Sequence, residues 1–350
     1  MMPPAMKLST AIATAFAALG PLGGALGVLG CAVGLLGGAV APLGCASTSA
    51  VEDARRDFAH AETCASKGDL DACRQACELR IRSGCYALGQ AHLAGQGVEL
   101  DRAVALRYFD RACDLGDATG CAQVGYLVER GVGTSRDAAR AVRYYRRACD
   151  ANQPTACANL GVAYQLGAVV PVDTLRASQL YQRACVGGDA AGCANLGYLL
   201  QYGIGVSRNP ERARELYEAA CAQGHHGACG NLAGMALIGL GGPAEPRRAA
   251  LLYQAGCDAG LVDACANLGV LHERGLGVMR DLDRARALFE QACEAGTVDA
   301  CVSLGGLHEH GHGVPADRAT AIRYYRRACA ANDPLGCERL KRLEAPAPKR

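Results

Sequence analysis

Apolar, small and polar positions recur along this chain with a fixed period of 36 residues. Cysteine marks the period most clearly, from Cys77 to Cys329, and each of these has a companion eight residues later, from Cys85 to Cys337. A fixed period of this length is typical of solenoids, in which each helix pair buries its apolar face against its neighbours. The pattern therefore predicts an all-α solenoid with seven uninterrupted units over 77–328.

Residues 113–148 show how each helix pair is built. A short glycine-containing turn leads into a first helix predicted near 119–130, and Gly131 follows it at a position that favours a left-handed residue. A second helix is predicted to begin after Asp137, because Asp, Asn or Glu recurs there and can accept hydrogen bonds from free backbone N–H groups. The predicted N-caps are Asp101, Asp137, Asp173, Asn209, Glu245, Asp281 and Asp317.

One first-helix position is almost always glycine, with Ala233 as its single substitute. A glycine inside a helix costs about 1 kcal/mol relative to alanine, so its recurrence predicts close approach between helices. The second helix carries a Tyr or Phe at one position, which we interpret as its larger packing residue. The recurring glycines are Gly89, Gly125, Gly161, Gly197, Gly269 and Gly305.

Composition places the chain in an oxidising compartment. The 350 residues include 20 cysteines, which is far more than a reducing cytosol normally permits without bound metals. The formal net charge of +2 gives no general reason to expect nucleic acid or an acidic membrane surface as a partner. Half of the residues are hydrophobic and mostly small, so a single large aromatic core is not expected.

The N-terminus predicts export. Lys7 is followed by an uncharged apolar run that reaches Cys45, and "PLGC" resembles a lipobox followed by a small polar linker. Cleavage before Cys45 leaves eighteen of the twenty cysteines for pairing, an even number. Lipidation of Cys31, within "VLGC", and an uncleaved signal anchor are the alternatives.

These signals divide the chain into six segments. The predicted segments are a lipoprotein signal peptide at 1–44, a lipid-anchored linker at 45–52, an N-terminal cap at 53–76, the seven units at 77–328, a C-terminal half-unit cap at 329–343 and a tail at 344–350.

Residues 264–293, "ACANLGVLHERGLGVMRDLDRARALFEQAC", resemble a Sel1-like repeat, a relative of the tetratricopeptide repeat. The paired cysteines resemble those of the Helicobacter cysteine-rich proteins. The resemblance implies a right-handed α/α superhelix whose helices are joined by disulfides between cysteines eight residues apart. Geometry alone leaves pairing of Cys121 with Cys149 within one unit as an alternative. The implied pairs are Cys64–Cys73, Cys77–Cys85, Cys113–Cys121, Cys149–Cys157, Cys185–Cys193, Cys221–Cys229, Cys257–Cys265, Cys293–Cys301 and Cys329–Cys337.

Polar residues recur on one predicted face of the first helices. Residues spaced i, i+3 and i+7 share a helix face, and a series of amides with interleaved Tyr and Arg could hold an extended peptide by its backbone. The alternative is that these amides bond to the turn of the neighbouring unit and hold the stack together. The candidate peptide groove comprises Gln123, Asn159, Asn195, Asn231, Asn267, Ser303, Tyr126, Tyr198, Arg130, Tyr202 and Arg274.

"HEHGH" at 308–312 reads as the H-E-x-x-H zinc signature. The repeat places Gly311 at the end of a first helix, so His308 and His312 are not predicted to share one helix face, as zinc binding by this motif requires. No metal site and no cofactor are expected. No S-x-x-K or K-T-G motif occurs in the chain, so catalytic residues remain unidentified.

The sequence thus favours an exported, lipid-anchored solenoid of the bacterial envelope that faces the periplasm or the cell surface. We expect it to bind a peptide or protein ligand, and cell-wall-related ligands are among the candidates. A secreted form is the alternative location, and a monomer without nucleic acid is expected. Two other functions stay open. The resemblance implies a β-lactamase or penicillin-binding hydrolase, and an architectural envelope protein needs no ligand.

Overall fold

The computed structural model describes residues 33–36, 39–42, 64, 69–167 and 169–345. Two short strands, β1 (Val33–Leu36) and β2 (Ala39–Pro42), pair antiparallel, with Val33 opposite Pro42. They fall in the segment assigned to the signal peptide. The candidate lipidation residues Cys31 and Cys45 lie outside the described residues.

From residue 69 onward the described chain is helical, with sixteen helices in consecutive antiparallel pairs. The predicted all-α solenoid is confirmed. The helices are α1 (Leu70–Glu78), α2 (Arg82–Ala94), α3 (Arg102–Asp114), α4 (Ala118–Arg130), α5 (Ala138–Asp150), α6 (Pro154–Leu166), α7 (Thr174–Val186), α8 (Ala190–Tyr202), α9 (Pro210–Ala222), α10 (His226–Ile238), α11 (Pro246–Asp258), α12 (Val262–Arg274), α13 (Leu282–Glu294), α14 (Val298–His310), α15 (Arg318–Ala330) and α16 (Pro334–Glu344).

Local signals fix where these helices begin and end. Asp101 illustrates the N-cap of a second helix, because its carboxylate accepts from the N–H groups of Ala103 and Val104 at 2.9 Å. The other predicted N-caps act in the same way, except Glu245, which forms no side-chain cap and instead bonds to the buried Arg214. Gly131 ends α4 in the left-handed conformation with φ 71°, as the pattern predicts.

The recurring glycines have a more specific role than close approach between helices. A Cβ built on Gly125 would lie 2.6 Å from the Tyr145 ring, and one on Gly161 would lie 2.6 Å from the Tyr181 ring. Each glycine therefore makes room for the aromatic ring of the second helix in its own unit. These rings are buried, and together with leucine and alanine they form a core that continues from unit to unit.

Eight disulfides join consecutive helices across the turns between units, and a ninth lies in the N-terminal cap. Cys113, at the end of α3, bonds to Cys121 in α4 with a Cα–Cα distance of 4.5 Å. The eight-residue pairing implied by the resemblance is thus the one the structure contains, and Cys121 does not pair with Cys149. Cys64 joins Cys73 in the N-terminal cap, and no cysteine of the described chain is free.

Candidate functional site

The candidate groove residues lie at three levels on the first helices. We call the first level, one turn before the middle of each helix face, the amide row: Gln123, Asn159, Asn195, Asn231, Asn267 and Ser303. Four of its members are half-buried, whereas Asn231 and Asn267 are exposed. One turn further on lies the middle row: Tyr126, Val162, Tyr198, Gly234, Val270 and Gly306. The final residues of the helices form the end row: Arg130, Leu166, Tyr202, Ile238, Arg274 and His310. Spacing of i, i+3 and i+7 puts the three rows on one face, which we call the groove face.

The amide row is recessed relative to the end row. Asn159 and Asn195 are half-buried, whereas Leu166 is 69% exposed and Tyr202 is 58% exposed. Within the described chain the side chains of Asn159, Asn195 and Asn267 form no hydrogen bond to protein.

Asn231 has a different neighbour. Burial raises the pKa of Tyr217, in the second helix of the preceding unit, and the nearby Asn231 side chain lowers it in part, while the Tyr217 hydroxyl donates to Gln201 at 3.0 Å. Arg339 occupies the equivalent position in the C-terminal cap, and its guanidinium donates to the hydroxyl of Tyr325 at 3.1 Å. At these two positions the side chain therefore lies beside the hydroxyl group of a buried tyrosine.

A hydrogen-bonding position that the sequence analysis missed lies beneath the groove face. The hydroxyl of Tyr145 donates to Glu129 at 2.7 Å, and that of Tyr181 donates to Gln165 at 2.6 Å. Burial, reinforced by the bond to Glu129, raises the pKa of Tyr145 well above its usual range. These bonds explain why a Glu or Gln stands sixteen residues before most of the tyrosines.

The repeat pattern contains little signal for this hydrogen-bonding position. Phe289 replaces the tyrosine in the sixth unit, so Glu273, at the acceptor position, has no hydroxyl to bind. Leu237 stands at the acceptor position opposite Tyr253, whose hydroxyl forms no hydrogen bond in the described chain. Each partner thus occurs without the other in these two units, so comparing the two positions across units would not have revealed the pairing.

Aromatic and cationic groups lie close together on the outer two rows. The Arg130 guanidinium stacks over the Tyr126 ring, with 4.8 Å from Cζ to the ring centroid. The rings of Tyr198 and Tyr202 are also 4.8 Å apart and tilted against each other. Such exposed aromatic side chains offer a large contact area at low entropic cost.

A cavity of about 400 Å³ lies at the C-terminal end of the groove face, and it brings Arg274 together with Ser303. Its other lining residues are Glu273, Asp299, Val302, Gly306, His310, His312, Asp333, Leu335 and Arg339. The cavity mixes both signs of charge, so it can take a polar group but does not select a charge by itself.

The structure places His308 and His312 as the repeat predicts. His308 lies in α14 and stacks on Tyr324 at 5.8 Å between centroids, while His312 follows the left-handed Gly311. The Nδ1 atom of His308 is buried without a hydrogen-bond partner. Across the residues that the structure describes, no group of three or more His, Cys, Asp or Glu side chains could hold a metal ion.

The Sel1 repeat family matches seven consecutive segments of the chain. The matched segments are 82–117, 118–153, 154–189, 190–225, 226–261, 262–297 and 298–333. The chain belongs to the Sel1 repeat family. Each matched Sel1 repeat contains one first helix and the second helix that follows it, from α2 and α3 through α14 and α15.

Solved structures share this architecture. The chain is 28% identical to a protective antigen present in uropathogenic Escherichia coli, which displays an SLR fold; the match covers 79% of this chain and 59% of that one, with a TM-score of 0.67. A Sel1 repeat protein from Oxalobacter formigenes is 25% identical over 68% of this chain and 96% of its own, with a TM-score of 0.60. The chain thus spans somewhat more than half of the antigen's length.

Helicobacter pylori cysteine-rich protein B is 33% identical over 40% of this chain and all of its own, with a TM-score of 0.32. No curated protein sequence matches the chain.

The disulfides of these Sel1 repeats indicate an oxidising compartment outside the cytoplasm. Among the helices that the structure describes, none is both long enough and apolar enough to cross a membrane.

Proposed function

We propose that this Sel1 repeat protein is an exported scaffold that binds an extended peptide segment of a partner protein on its groove face. The observation that carries the proposal is the amide row, in which three side chains form no hydrogen bond within the described protein. Asn159, Asn195 and Asn267 offer donors and acceptors at half-buried or exposed positions without protein partners. An extended backbone has unpaired N–H and C=O groups that such amides can satisfy.

The end row supports the same proposal. Leu166, Tyr202 and Ile238 stand exposed at the ends of three consecutive first helices, where each could take an apolar side chain of a ligand. Isolated exposed apolar residues need no explanation, but a contiguous series on one face marks an interaction surface. A purely architectural role requires neither the free amides nor this series.

The test is selection from a library of random peptides displayed on phage, using the purified, oxidised chain. We expect enriched peptides whose binding weakens at least tenfold in Tyr202→Ala and stays unchanged in Leu251→Ala. Leu251 is the matched control because it is 72% exposed on α11, a second helix. Failure to enrich any peptide, or equal loss in both variants, would overturn the proposal.

A chromogenic cephalosporin added to the same preparation tests the hydrolase alternative. No residue of the groove face pairs a nucleophile with a base in the described structure, so we expect no turnover above buffer. Turnover that Tyr198→Ala abolishes would replace the scaffold by an enzyme.

The proposal includes a lipid anchor at Cys45. Metabolic labelling with an alkyne-tagged fatty acid should mark the wild-type chain and the Cys31→Ser variant but not the Cys45→Ser variant. Label retained in Cys45→Ser and lost in Cys31→Ser would move the anchor to Cys31. Absence of label in the wild type would leave a secreted or signal-anchored scaffold.

A further inference from the structure

The end row changes character along the solenoid. It begins with Arg130, continues with three apolar side chains from Leu166 to Ile238, and returns to basic character at Arg274. The apolar residues are 58% to 73% exposed, although the solenoid buries other residues of this size in its core. One end of the row is therefore cationic and its middle is apolar, which restricts the chemistry of anything that lies along it.

The spacing of the row restricts the ligand's conformation. The first helices α6 and α8, which carry Leu166 and Tyr202, approach to Cα–Cα distances of 8 Å or less, and packed helix axes are typically about 8–10 Å apart, so this pair sets the spacing used for the row. A polyproline II segment advances about 9.3 Å in its three-residue turn, so every third side chain returns to one face at nearly this spacing. A β-strand returns its side chains to one face every second residue, after only about 7 Å.

The charge at the Arg130 end has no partner within the described protein. Arg130 forms no ion pair, and the neighbouring carboxylate of Glu129 is already bound to the hydroxyl of Tyr145. At the other end, Arg274 shares its cavity with Glu273 and two aspartates, so both signs of charge meet there. Only the Arg130 end therefore specifies the charge of a ligand, and it specifies a negative one.

The amide row distinguishes an extended segment from a second copy of the chain. Helices of a folded copy have already paired their backbone groups, so they would leave Asn159 and Asn195 unsatisfied beneath the contact. An extended segment brings unpaired backbone groups to these half-buried amides. The occupant that fits both rows is thus an extended chain and not a folded surface.

We propose that the groove face binds a polyproline II-like segment that carries an apolar side chain at every third residue, over Leu166, Tyr202 and Ile238, and an acidic side chain three residues beyond them, on Arg130. This inference rests on the proposed function and adds the chemistry, register and conformation of the ligand. The acidic group comes from an Asp or Glu side chain. Its carboxylate accepts hydrogen bonds from the Arg130 guanidinium, which stacking on Tyr126 already holds in place.

The experiment measures fluorescence anisotropy with labelled peptides of about 13 residues, a length that spans the four positions in polyproline II geometry. The matching peptide carries three apolar residues at every third position and a glutamate three residues beyond them, and it is made in both chain directions. One control peptide replaces the glutamate by lysine, and another moves the apolar residues to every second position. A third control peptide ends at the glutamate position, so that its C-terminal carboxylate replaces the glutamate side chain.

The oxidised full chain is used as wild type and as matched pairs of variants. Arg130→Glu is compared with Arg323→Glu, because Arg323 also stacks on a tyrosine, Tyr324 at 5.4 Å, but lies on the second helix α15. Tyr202→Ala is compared with Leu251→Ala. All four positions are solvent-exposed, and circular dichroism checks that each variant keeps its helices.

We expect the matching peptide to bind at least tenfold more tightly than the lysine and every-second-residue peptides. Arg130→Glu should reverse the preference between glutamate and lysine, Tyr202→Ala should abolish binding, and both control variants should bind like wild type. Equal binding of all peptides, sensitive only to Tyr202→Ala, would overturn the inference while leaving the proposed function intact. Tighter binding of the peptide with the C-terminal carboxylate would overturn the assignment of the negative charge to an acidic side chain.

Two further results would count against the proposal. Loss of binding in Leu251→Ala with retention in Tyr202→Ala would place the ligand on the second helices and overturn both the inference and the proposed function. Light scattering that shows a dimer dissociated by Tyr202→Ala would mean that a second copy covers the row. Absence of binding by every peptide overturns the inference alone, since the phage selection tests the proposed function independently.

Discussion

The ring of Tyr181 occupies the space that a side chain at Gly161 would fill, because a Cβ there would lie 2.6 Å from the ring. We expect Gly161→Ala to lower the free energy of unfolding by about 1–2 kcal/mol. Overpacking of this kind costs about 1–3 kcal/mol, and the better helix propensity of alanine returns part of it. Thermal unfolding of the oxidised chain measures the change.

Gly230 supplies the matched control, because it is also helical but has nothing within 4 Å of its Cβ position. Gly230→Ala should be neutral or stabilising by up to about 1 kcal/mol. Equal destabilisation by both substitutions would show that the ring does not need the glycine. Ala233 faces Tyr253 in the fifth unit, so one ring of the series already tolerates a methyl group.

The tyrosine hydroxyls provide a second residue-scale prediction. Tyr145→Phe removes the donor to Glu129 and leaves a carboxylate with one fewer partner at the edge of the core. We expect a loss of about 1–2 kcal/mol, since hydrogen bonds to charged groups contribute about 1.5–3 kcal/mol. Tyr253→Phe should cost almost nothing, because its hydroxyl forms no hydrogen bond in the described chain.

Urea unfolding of the two phenylalanine variants makes the comparison. The free energy of unfolding could fall as much in Tyr253→Phe as in Tyr145→Phe. That result would mean that the hydroxyl contributes through packing and not through the hydrogen bond to Glu129.

Sequence periodicity identified the residues of these contacts but only part of their purpose. It located the glycines, yet it predicted helix approach where the structure shows space for a ring. It treated the tyrosines as packing residues and did not find Glu129 or Gln165 as their acceptors. A period reveals which positions are equivalent, whereas a contact between two positions shows only when their identities change together, and Glu273 does not change when Phe289 replaces the tyrosine.

Each disulfide with the eight-residue spacing joins one helix to the first helix that follows it. Cys149 and Cys157, joining α5 to α6, are buried, with a Cα–Cα distance of 4.7 Å. Replacing both by alanine should cost about 2.5 kcal/mol through the entropy of the closed eight-residue loop, plus the packing lost with the sulfur atoms. Cys221 and Cys229 close an equal loop but are only half-buried, so their replacement should cost less.

Chemical unfolding of the two double-alanine variants under oxidising conditions gives the comparison. The loop entropy is the same in both, so the difference isolates burial. A larger loss for the 221–229 pair would contradict this explanation.

Helix limits were predictable at the element scale because capping residues recur with the period. The first helix predicted near 119–130 spans Ala118–Arg130, and the second begins after Asp137 as expected. Glu245 was the exception, since its longer side chain turns away to Arg214 instead of capping α11. Cysteine pairing needed the resemblance, because the ends of antiparallel helices also come close within one unit.

Tyrosine burial affects the stability of the whole molecule at high pH. Burial raises the pKa of Tyr181 and Tyr217, so the folded chain keeps these phenol protons to higher pH than the unfolded chain does. Their contribution is therefore complete below about pH 10 and declines as the pH rises above it, by up to about 1.4 kcal/mol per pH unit for each group. Unfolding midpoints between pH 8 and about 11.5 should fall accordingly.

The double variant Tyr181→Phe/Tyr217→Phe should show a shallower decline than wild type. The matched control changes two exposed tyrosines, Tyr126→Phe/Tyr198→Phe, and should keep the wild-type slope. An identical decline in both double variants would assign the alkaline instability to other groups.

The solenoid as a whole behaves as a chain of neighbours, because each helix packs mainly against the helices next to it in sequence. The effect of losing one disulfide should therefore depend on its place. Cys185–Cys193 joins α7 to α8 near the centre, whereas Cys329–Cys337 joins α15 to the terminal α16, and both close the same loop length.

Replacing the central pair by alanine should speed amide hydrogen exchange on both sides, from α6 to α9. Replacing the terminal pair should speed exchange only from α14 to α16, since no described helix packs beyond α16. Mass spectrometry of exchanged peptides resolves the two patterns. Faster exchange spread evenly over all sixteen described helices in either variant would contradict this prediction. It would show that the repeats unfold as one cooperative unit instead of as neighbouring elements.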